Sequence, residues 1–447
     1  MVEPLQSAYR ADHSTETALL KVANDLLTAC DSGSVSLLAL LDLSAAFDTI
    51  DHDILLARLN TTFGITGTAL GWFCSYLTGR TQAVVIQNRH SEDTILKYGV
   101  PQGSVLGPVL FTMYIQPLGK VIKHHNVLYH MFADDTQLQK SAHTKQFTEL
   151  VQSIESCSDH IKQWMTVNKL KMNDDKTEIM PVGKQSNLKL LSETSSLTLS
   201  DTTVTFSSKV KNLGVHLDSS LSMDAHINSL CRTAFLEMRR ISQIRHLLSL
   251  DATKTLVSAF ILSRLDYCNS LLAGLPDAKL DRLQRIMNNA ARLVLQLAPS
   301  RPPRRQARPP TAHHEQCSTS CAAQAQARPC HPSIQGYLLM TLHWLPIKAR
   351  ITFKIATLCY RSLHDDSAPS YLSSLLKPHV PTRNLRSADA GHLVVPRIKL
   401  NAFGKRAFIY TAPSIWNSLP MSVRLSTSLL SFKSSLKTHL FRQYFDA

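Results

Sequence analysis

An α+β fold is expected for this chain, with an antiparallel sheet backed by helices, and three patterns predict it. Ser34 to Asp48 reads as an apolar buried strand that ends in Asp42. Val127 to Leu138 runs apolar residues into the adjacent acids Asp134 and Asp135 and then into a β-propensity stretch with alternating Gln and Leu. That is the pattern of a hairpin whose tight turn presents both acids. From Asp224 to Leu297 the periodicity is wholly helical.

Taken in chain order, an opening amphipathic helix places Ala18, Leu19, Val22, Ala23, Leu26 and Leu27 on one face and ends near Asp31-Ser-Gly33. After the Asp42 strand, Asp48 and Asp51 open a helical stretch to about Leu59, and helical residues continue to about Leu77. A strand pair follows, around Ala83–Ile86 and Thr94–Leu96. Gly99 and Pro101 then stiffen a turn that carries Gln102 and Gly103 and opens into the helical run Val109–Ile115. Phe147, Leu150, Val151, Ile154, Ile161 and Trp164 mark a long helix suited to cover the back of a sheet.

Three helices are then expected. Ile227, Leu230, Ala234, Phe235, Met238 and Ile241 line the first, Leu256, Val257, Phe260, Ile261 and Leu265 the second, and Leu280, Leu283, Ile286, Met287, Ala290 and Val294 the third. Residues 299–335 lack apolar periodicity and read as a disordered linker. Its His313, His314, Cys317, Cys321, Cys330 and His331 fit no common zinc-knuckle spacing. Helical order returns with Ile351, Phe353, Ile355, Leu358 and Tyr360.

A chain of 447 residues with 44% apolar content can form two or three domains around sizeable cores. No secretory signal segment opens it, and the longest apolar run, around Leu37 to Phe47, is broken by Asp42, so no membrane span is expected. Nine mostly isolated cysteines suit a reducing intracellular compartment, the nucleus or the cytoplasm, rather than secretion. The net charge of +15 is unevenly placed. Residues 1–300 hold 28 Lys+Arg and 28 Asp+Glu, which leaves 20 and 5 for residues 301–447. A basic C-terminal region of that kind suits contact with a phosphate backbone, although a solvated basic surface would look the same.

An Asp-Asp turn by itself reads more readily as a solvated turn than as a site. Asp42 changes that reading, because a lone carboxylate at the end of an apolar strand is costly unless it is paired, hydrogen-bonded or metal-bound. If its strand lies beside the hairpin, the carboxylates can converge on two Mg²⁺ ions, which take oxygen ligands and leave room for substrate phosphates. Two such ions activate a hydroxyl and stabilise the leaving oxygen of an in-line phosphoryl transfer.

At this point the residues resemble a known family, the reverse transcriptases of non-LTR (LINE-type) retrotransposons. Leu41–Asp48 resembles that family's first catalytic motif, Gly99–Phe111 its nucleotide-binding motif and Phe132-Ala-Asp-Asp135 its second catalytic motif. Tyr9–Thr15 is similar to the finger segment, Leu170–Glu178 to the motif after the catalytic hairpin, and Asn212–Asp218 to the primer-grip hairpin. Leu342–Ile347 and Ala412–Pro420 resemble the C-terminal region of these elements. Six segments in the family's order across residues 9 to 218 make the resemblance specific.

The resemblance implies a right-hand polymerase fold. Residues 1–33 would be a residual fingers segment and 34–222 the palm, with part of the fingers interleaved at about 61–99. Residues 223–298 would be a helical thumb, 299–335 the linker and 336–447 the basic C-terminal region. It further implies an RNA-directed DNA polymerase that extends a DNA primer on an RNA template from deoxynucleoside triphosphates, with two Mg²⁺ ions, or Mn²⁺ in their place. Asp42, Asp134 and Asp135 would be metal ligands and catalytic carboxylates, and Lys176 the proton donor to the departing pyrophosphate. Phe47 would select deoxynucleotides by clash with a 2′-hydroxyl, its alternative being a core residue. Gln102 and Gly103 would meet the nucleotide, and Leu213 and Gly214 would form the primer grip. Arg239, Arg240, Arg245, Arg282, Arg285 and Arg292 could grip the template-primer duplex, though a solvated basic face would look identical. Against the family, the chain reads as truncated at its N-terminus, lacking the further finger residues that clamp the triphosphate and the endonuclease domain. The alternative function is a decayed remnant that binds nucleic acid without polymerising.

Overall fold

The computed structural model describes residues 3–191, 195–199, 202–297, 341–380 and 391–445. The linker expected at 299–335, with its His and Cys residues, lies outside the described residues. In chain order the first elements are α1 (Thr15–Asp31), β1 (Val35–Leu41), β2 (Leu43–Ser44), α2 (His52–Thr61) and α3 (Gly67–Leu77). Four two-residue strands follow: β3 (Thr81–Gln82), β4 (Val85–Ile86), β5 (Arg89–His90) and β6 (Thr94–Ile95). Then come α4 (Leu106–Ile115), α5 (Leu118–His124), β7 (Leu128–Phe132), β8 (Asp135–Ala142), α6 (Phe147–Val167), β9 (Lys171–Met172) and β10 (Glu178–Val182). After α7 (Gln185–Leu188) lie β11 (Ser196–Leu199), β12 (Thr202–Thr205), β13 (Lys209–Asn212), β14 (Val215–Asp218), α8 (Asp224–Ile244), α9 (Leu250–Val257), α10 (Ser263–Asp266) and α11 (Asp277–Leu295).

Four strands form one antiparallel sheet in the order β10-β1-β8-β7. β1 lies between two neighbours and is covered on both faces, which is why its sequence is a continuous apolar run and not an alternating one. α6 covers the back of the sheet with Leu150, Ile154, Cys157, Ile161 and Met165, all buried at the period its sequence predicts. α1 starts at a capping box in which Ser14 and Thr17 each accept from the other's backbone amide. Asp51 caps α2 by accepting from Ile54 N.

Two expectations need correction. The single strand pair expected near 83–96 is instead two short hairpins, β3 with β6 and, between them, β4 with β5. The inner hairpin closes on Gln87 and Asn88, both at positive φ, as a two-residue primed turn requires. All eight strand residues are exposed, so no burial alternation marked their limits in the sequence. The second of the three expected helices is broken, because α9 passes through a π-helical stretch, Ser258–Leu262, before α10. Each wider turn shifts the phase of the side chains. Phe260 is therefore exposed, and Phe235 of α8 is exposed too, beside the buried Ala234.

The chain divides into two compact units. One comprises Met1–Asn228, Tyr267–Pro276 and Ile351–His439; the other comprises Ser229–Asp266, Asp277–Arg350 and Leu440–Ala447. Within the first, the C-terminal segment is not a free basic tail. Lys354 pairs with Glu16 at 2.9 Å, Arg361 pairs with Asp12, and Arg406 donates to Leu221 O at 2.6 Å. Asp31 accepts from the amides of Lys399 and Leu400, and Asn24 from that of Ile409. Tyr360, Trp416 and Phe432 stack in its own core. Among the described residues no helix is long and apolar enough to cross a membrane.

Ile154→Ala, at a fully buried position of α6, is expected to cost about 2–5 kcal/mol in urea unfolding. Val167→Ala, at the exposed end of the same helix, should stay within about 0.5 kcal/mol.

Candidate active site

Asp42 stands where the chain leaves β1 and enters β2, between two pairings that fix it. β1 is held by β8 and β10, and β2 by β9 through Leu43 and Met172. The carbonyl of Asp42 accepts from Asn173 N at 2.9 Å, which ties the carboxylate-bearing residue to the turn that carries Lys176. On the neighbouring strand pair, Phe132 is opposite Asp135, so Ala133 and Asp134 alone form the hairpin turn. Leu41 is opposite Thr136 across the β1–β8 ladder, and this register sets Asp42 beside Asp135. The hairpin and the strand end expected from sequence therefore meet.

Asp42, Asp135, Lys176, Glu178, Gln137, Lys211, Asn212 and Leu213 line one open cavity of ≈ 180 Å³. Lys176 Nζ lies 3.2 Å from Asp42 Oδ2 and is itself mostly exposed. That carboxylate oxygen is buried and accepts no hydrogen bond among the described residues, so the ion pair is poorly directed. Burial, then the neighbouring charges of Asp134 and Asp42, push the Asp135 carboxyl up to about 6, with Lys176 opposing. Asp134 is raised as well, by burial first and then by Asp42, against its own backbone amide and Lys176. After burial, the negative charge of their neighbours also opposes ionisation of Asp134 and Asp135. Among the described residues no group of three or more His, Cys, Asp and Glu side chains is arranged to hold a metal ion as it stands. The donor chemistry suits a divalent cation, and the Lys176 ammonium takes up part of the charge balance at Asp42.

The Gln102 turn packs on the segment after β2. Gly99 N donates to Ile50 O at 2.8 Å and Val100 N to Phe47 O at 2.9 Å. A Cβ on Gly99 would fall 2.9 Å from the Asp48 carbonyl oxygen, so only glycine fits. Gln102 is exposed, and its amide donates to Asp48 Oδ1 at 2.8 Å. Gly103 has φ +78° and open space where a Cβ would stand. Phe47 is half-buried and stacks on Phe111 with centroids 4.6 Å apart. It is anchored in the core on one side and reachable on the other.

Leu213 and Gly214 form the turn of the β13–β14 hairpin, both at positive φ. Tyr267 donates to Leu213 O at 2.7 Å, and its ring lies where a Cβ on Gly214 would come within 3.4 Å. Asn212 donates to Gln137 Oε1 at 3.0 Å, which joins this hairpin to β8. The sequence marks the segments that hold Asn212 and Gln137 but not their pairing, and it gives no sign of Tyr267, since neither spacing nor residue type signals these contacts. Among the arginines expected to face a duplex, Arg245 is engaged internally. Its guanidinium donates to the carbonyls of Leu248, Leu293 and Val294, so it caps a helix end.

Folding favours the protonated form of Asp135, whose pKa lies above its ordinary 3.8. Its stabilising contribution is complete below pH 4 and is lost as pH rises through about 6. Without divalent cations, Asp135→Asn should therefore raise the melting temperature at pH 7.5 and leave it unchanged at pH 4. An equal shift at both pH values would contradict the burial and the neighbouring charges that raise Asp135.

The family model described as reverse transcriptase (RNA-dependent DNA polymerase) matches residues 1–217. Among curated proteins, the "Probable RNA-directed DNA polymerase from transposon BS" of Drosophila melanogaster is 28% identical over 257 residues, 56% of this chain and 27% of its own length. The "Probable RNA-directed DNA polymerase from transposon X-element" of the same species is 26% identical over 294 residues, 65% of this chain and 31% of its own. The "RNA-directed DNA polymerase from mobile element jockey" of Drosophila funebris is 27% identical over 262 residues, 56% and 27%. This chain thus spans about a third or less of the length of each. The match covers the Asp42 strand, the Gln102 turn, the Asp134–Asp135 hairpin and the Lys176 turn in one run, and residues 1–217 are a reverse-transcriptase domain of the LINE type.

Proposed function

We propose that this chain is an RNA-directed DNA polymerase that extends a DNA primer along an RNA template from deoxynucleoside triphosphates. The observation that carries the proposal is the convergence of Asp42, Asp134 and Asp135 from adjacent strand ends beside a cavity that Lys176 and the β13–β14 hairpin also line. In this reading the β10-β1-β8-β7 sheet with α6 is the palm, α3 with β3–β6 belongs to the fingers, and the helices of the second unit are the thumb.

Asp42, Asp134 and Asp135 would hold two Mg²⁺ ions, or Mn²⁺, which when bound supply Lewis acidity at the attacking hydroxyl and at the leaving oxygen. The rest is done by the chain's own groups. Phe47, fixed by its stack on Phe111, presents a rigid ring under the incoming sugar and excludes a 2′-hydroxyl by clash. Gln102, steadied by Asp48, and the open space at Gly103 receive the nucleotide. The Leu213–Gly214 turn, backed by Tyr267, seats the primer end. Lys176 is mostly exposed and paired to Asp42, and from there it can hand a proton to departing pyrophosphate. The site belongs to a chain that works inside the cell on nucleic acid.

Purified chain should add deoxynucleotides to a DNA primer on an RNA template with Mg²⁺, and Asp134→Asn should abolish the addition. Phe47→Ala should gain ribonucleotide incorporation that the parent lacks. Duplex binding with no extension above Asp134→Asn would replace the polymerase reading with that of a non-catalytic nucleic-acid-binding remnant.

A further inference from the structure

Ala133 occupies a place in the hairpin turn that its side chain does not favour. It is the first of two turn residues and has φ +55°, a region that non-glycine residues enter at a cost and that hairpins usually give to Gly, Asn or Asp. Something outside the hairpin must hold it there. Gln6 is fully buried, and its side-chain amide meets both polar groups of Ala133. Oε1 accepts from Ala133 N at 3.0 Å, and Nε2 donates to Ala133 O at 3.3 Å. The same Oε1 accepts from Ala8 N at 2.9 Å, which fixes the side chain to its own loop.

The segment that carries Gln6 is itself anchored. Met131 N donates to Leu5 O at 2.9 Å and Ser7 N to Met131 O at 3.0 Å, so residues 5–7 run parallel to the end of β7 along its outer edge. Ser7 Oγ is 2.8 Å from His130 Nε2 and 2.8 Å from the Tyr371 hydroxyl. Glu3 is buried and accepts from the Tyr129 hydroxyl at 2.6 Å and from Lys123 at 3.0 Å. Contacts on both sides of Gln6 thus fix its backbone, and its amide bonds Ala133 and Ala8.

We propose that Gln6 is a positioning residue that clamps Ala133 and thereby sets where the Asp134 and Asp135 carboxylates stand. The residue type follows from the geometry. Both a donor and an acceptor are needed on one planar group, asparagine is one methylene too short, and an apolar side chain would leave the Ala133 amide buried without a partner. The kinetic part of the proposal rests on the polymerase reading above; the structural part does not.

The test compares the full chain with Gln6→Met, which keeps the buried volume, and Gln6→Asn, which keeps the amide but shortens its reach. In single-nucleotide extension both should lose about tenfold or more in kcat. KM for the nucleotide and Kd for primer-template should hold within about twofold. In hydrogen exchange, the peptide over residues 128–138 should exchange faster in both variants, while that over 35–41 keeps its parent rate. Adding Ala133→Gly, which removes the penalty at φ +55°, should return part of the lost kcat. The proposal is overturned by kcat within about twofold of the parent in both variants. It is equally overturned by exchange that accelerates across the whole sheet, or by loss of the folded state in both. An inactive parent would sink the polymerase reading, and hydrogen exchange at 128–138 would then decide the clamp alone.

Discussion

Mutual repulsion among Asp42, Asp134 and Asp135 is the constraint around which the first unit is built. Like charges in partly buried positions would separate if the backbone allowed it, or they would be neutralised by protons, and the Asp135 carboxyl is raised first by burial and then by Asp134 and Asp42. The backbone does not allow separation. Asp42 is fixed by pairings before and after it, and the two hairpin acids by an eight-residue strand laddered to β1. The sheet therefore stores an electrostatic demand that a bound cation would meet, and Lys176 meets only part of it from a mostly exposed position.

Keeping the acids in place takes more than the sheet. The positive-φ alanine in the turn needs an outside clamp, and the segment that supplies it is tied to β7 on one side and to Tyr371 on the other. Tyr371 belongs to the C-terminal part of the chain, which also engages Asp12, Glu16, Asn24 and Asp31 of the N-terminal segment. A stretch with a surplus of basic residues thus directs several of them, and several backbone amides, to the acids and amides at the start of the chain. Arg406 goes further: burial lowers its pKa to about 10, and its guanidinium donates to a backbone carbonyl, so its charge serves the fold.

Much of this was legible in the sequence because it rests on local pattern. The continuous apolar run of β1, the period of α6, Asp51 at the start of α2 and the acids of the hairpin all state their role within a few residues. The residues that escaped act across distance or without pattern. Gln6 reaches 127 positions to Ala133, Asn212 reaches 75 to Gln137, and Tyr267 reaches 54 to Leu213. A lone glutamine or tyrosine gives no sign of such a partner. The β3–β6 hairpins escape the sequence because fully exposed strands carry no alternation, and the exposure of Phe260 does because a π turn shifts phase without a sequence marker. Charge alone does not reveal that Arg245 serves a helix end that needs a donor.

The central claim, that the three carboxylates form one cation-demanding centre, is tested most directly by anomalous scattering from crystals of the chain soaked in Mn²⁺. The account predicts a peak shared by the carboxylates of Asp42 and the Asp134–Asp135 turn, with the Lys176 ammonium displaced from Asp42. Ordered Mn²⁺ elsewhere in the same crystals, with no density at these acids and Lys176 still paired to Asp42, would contradict it.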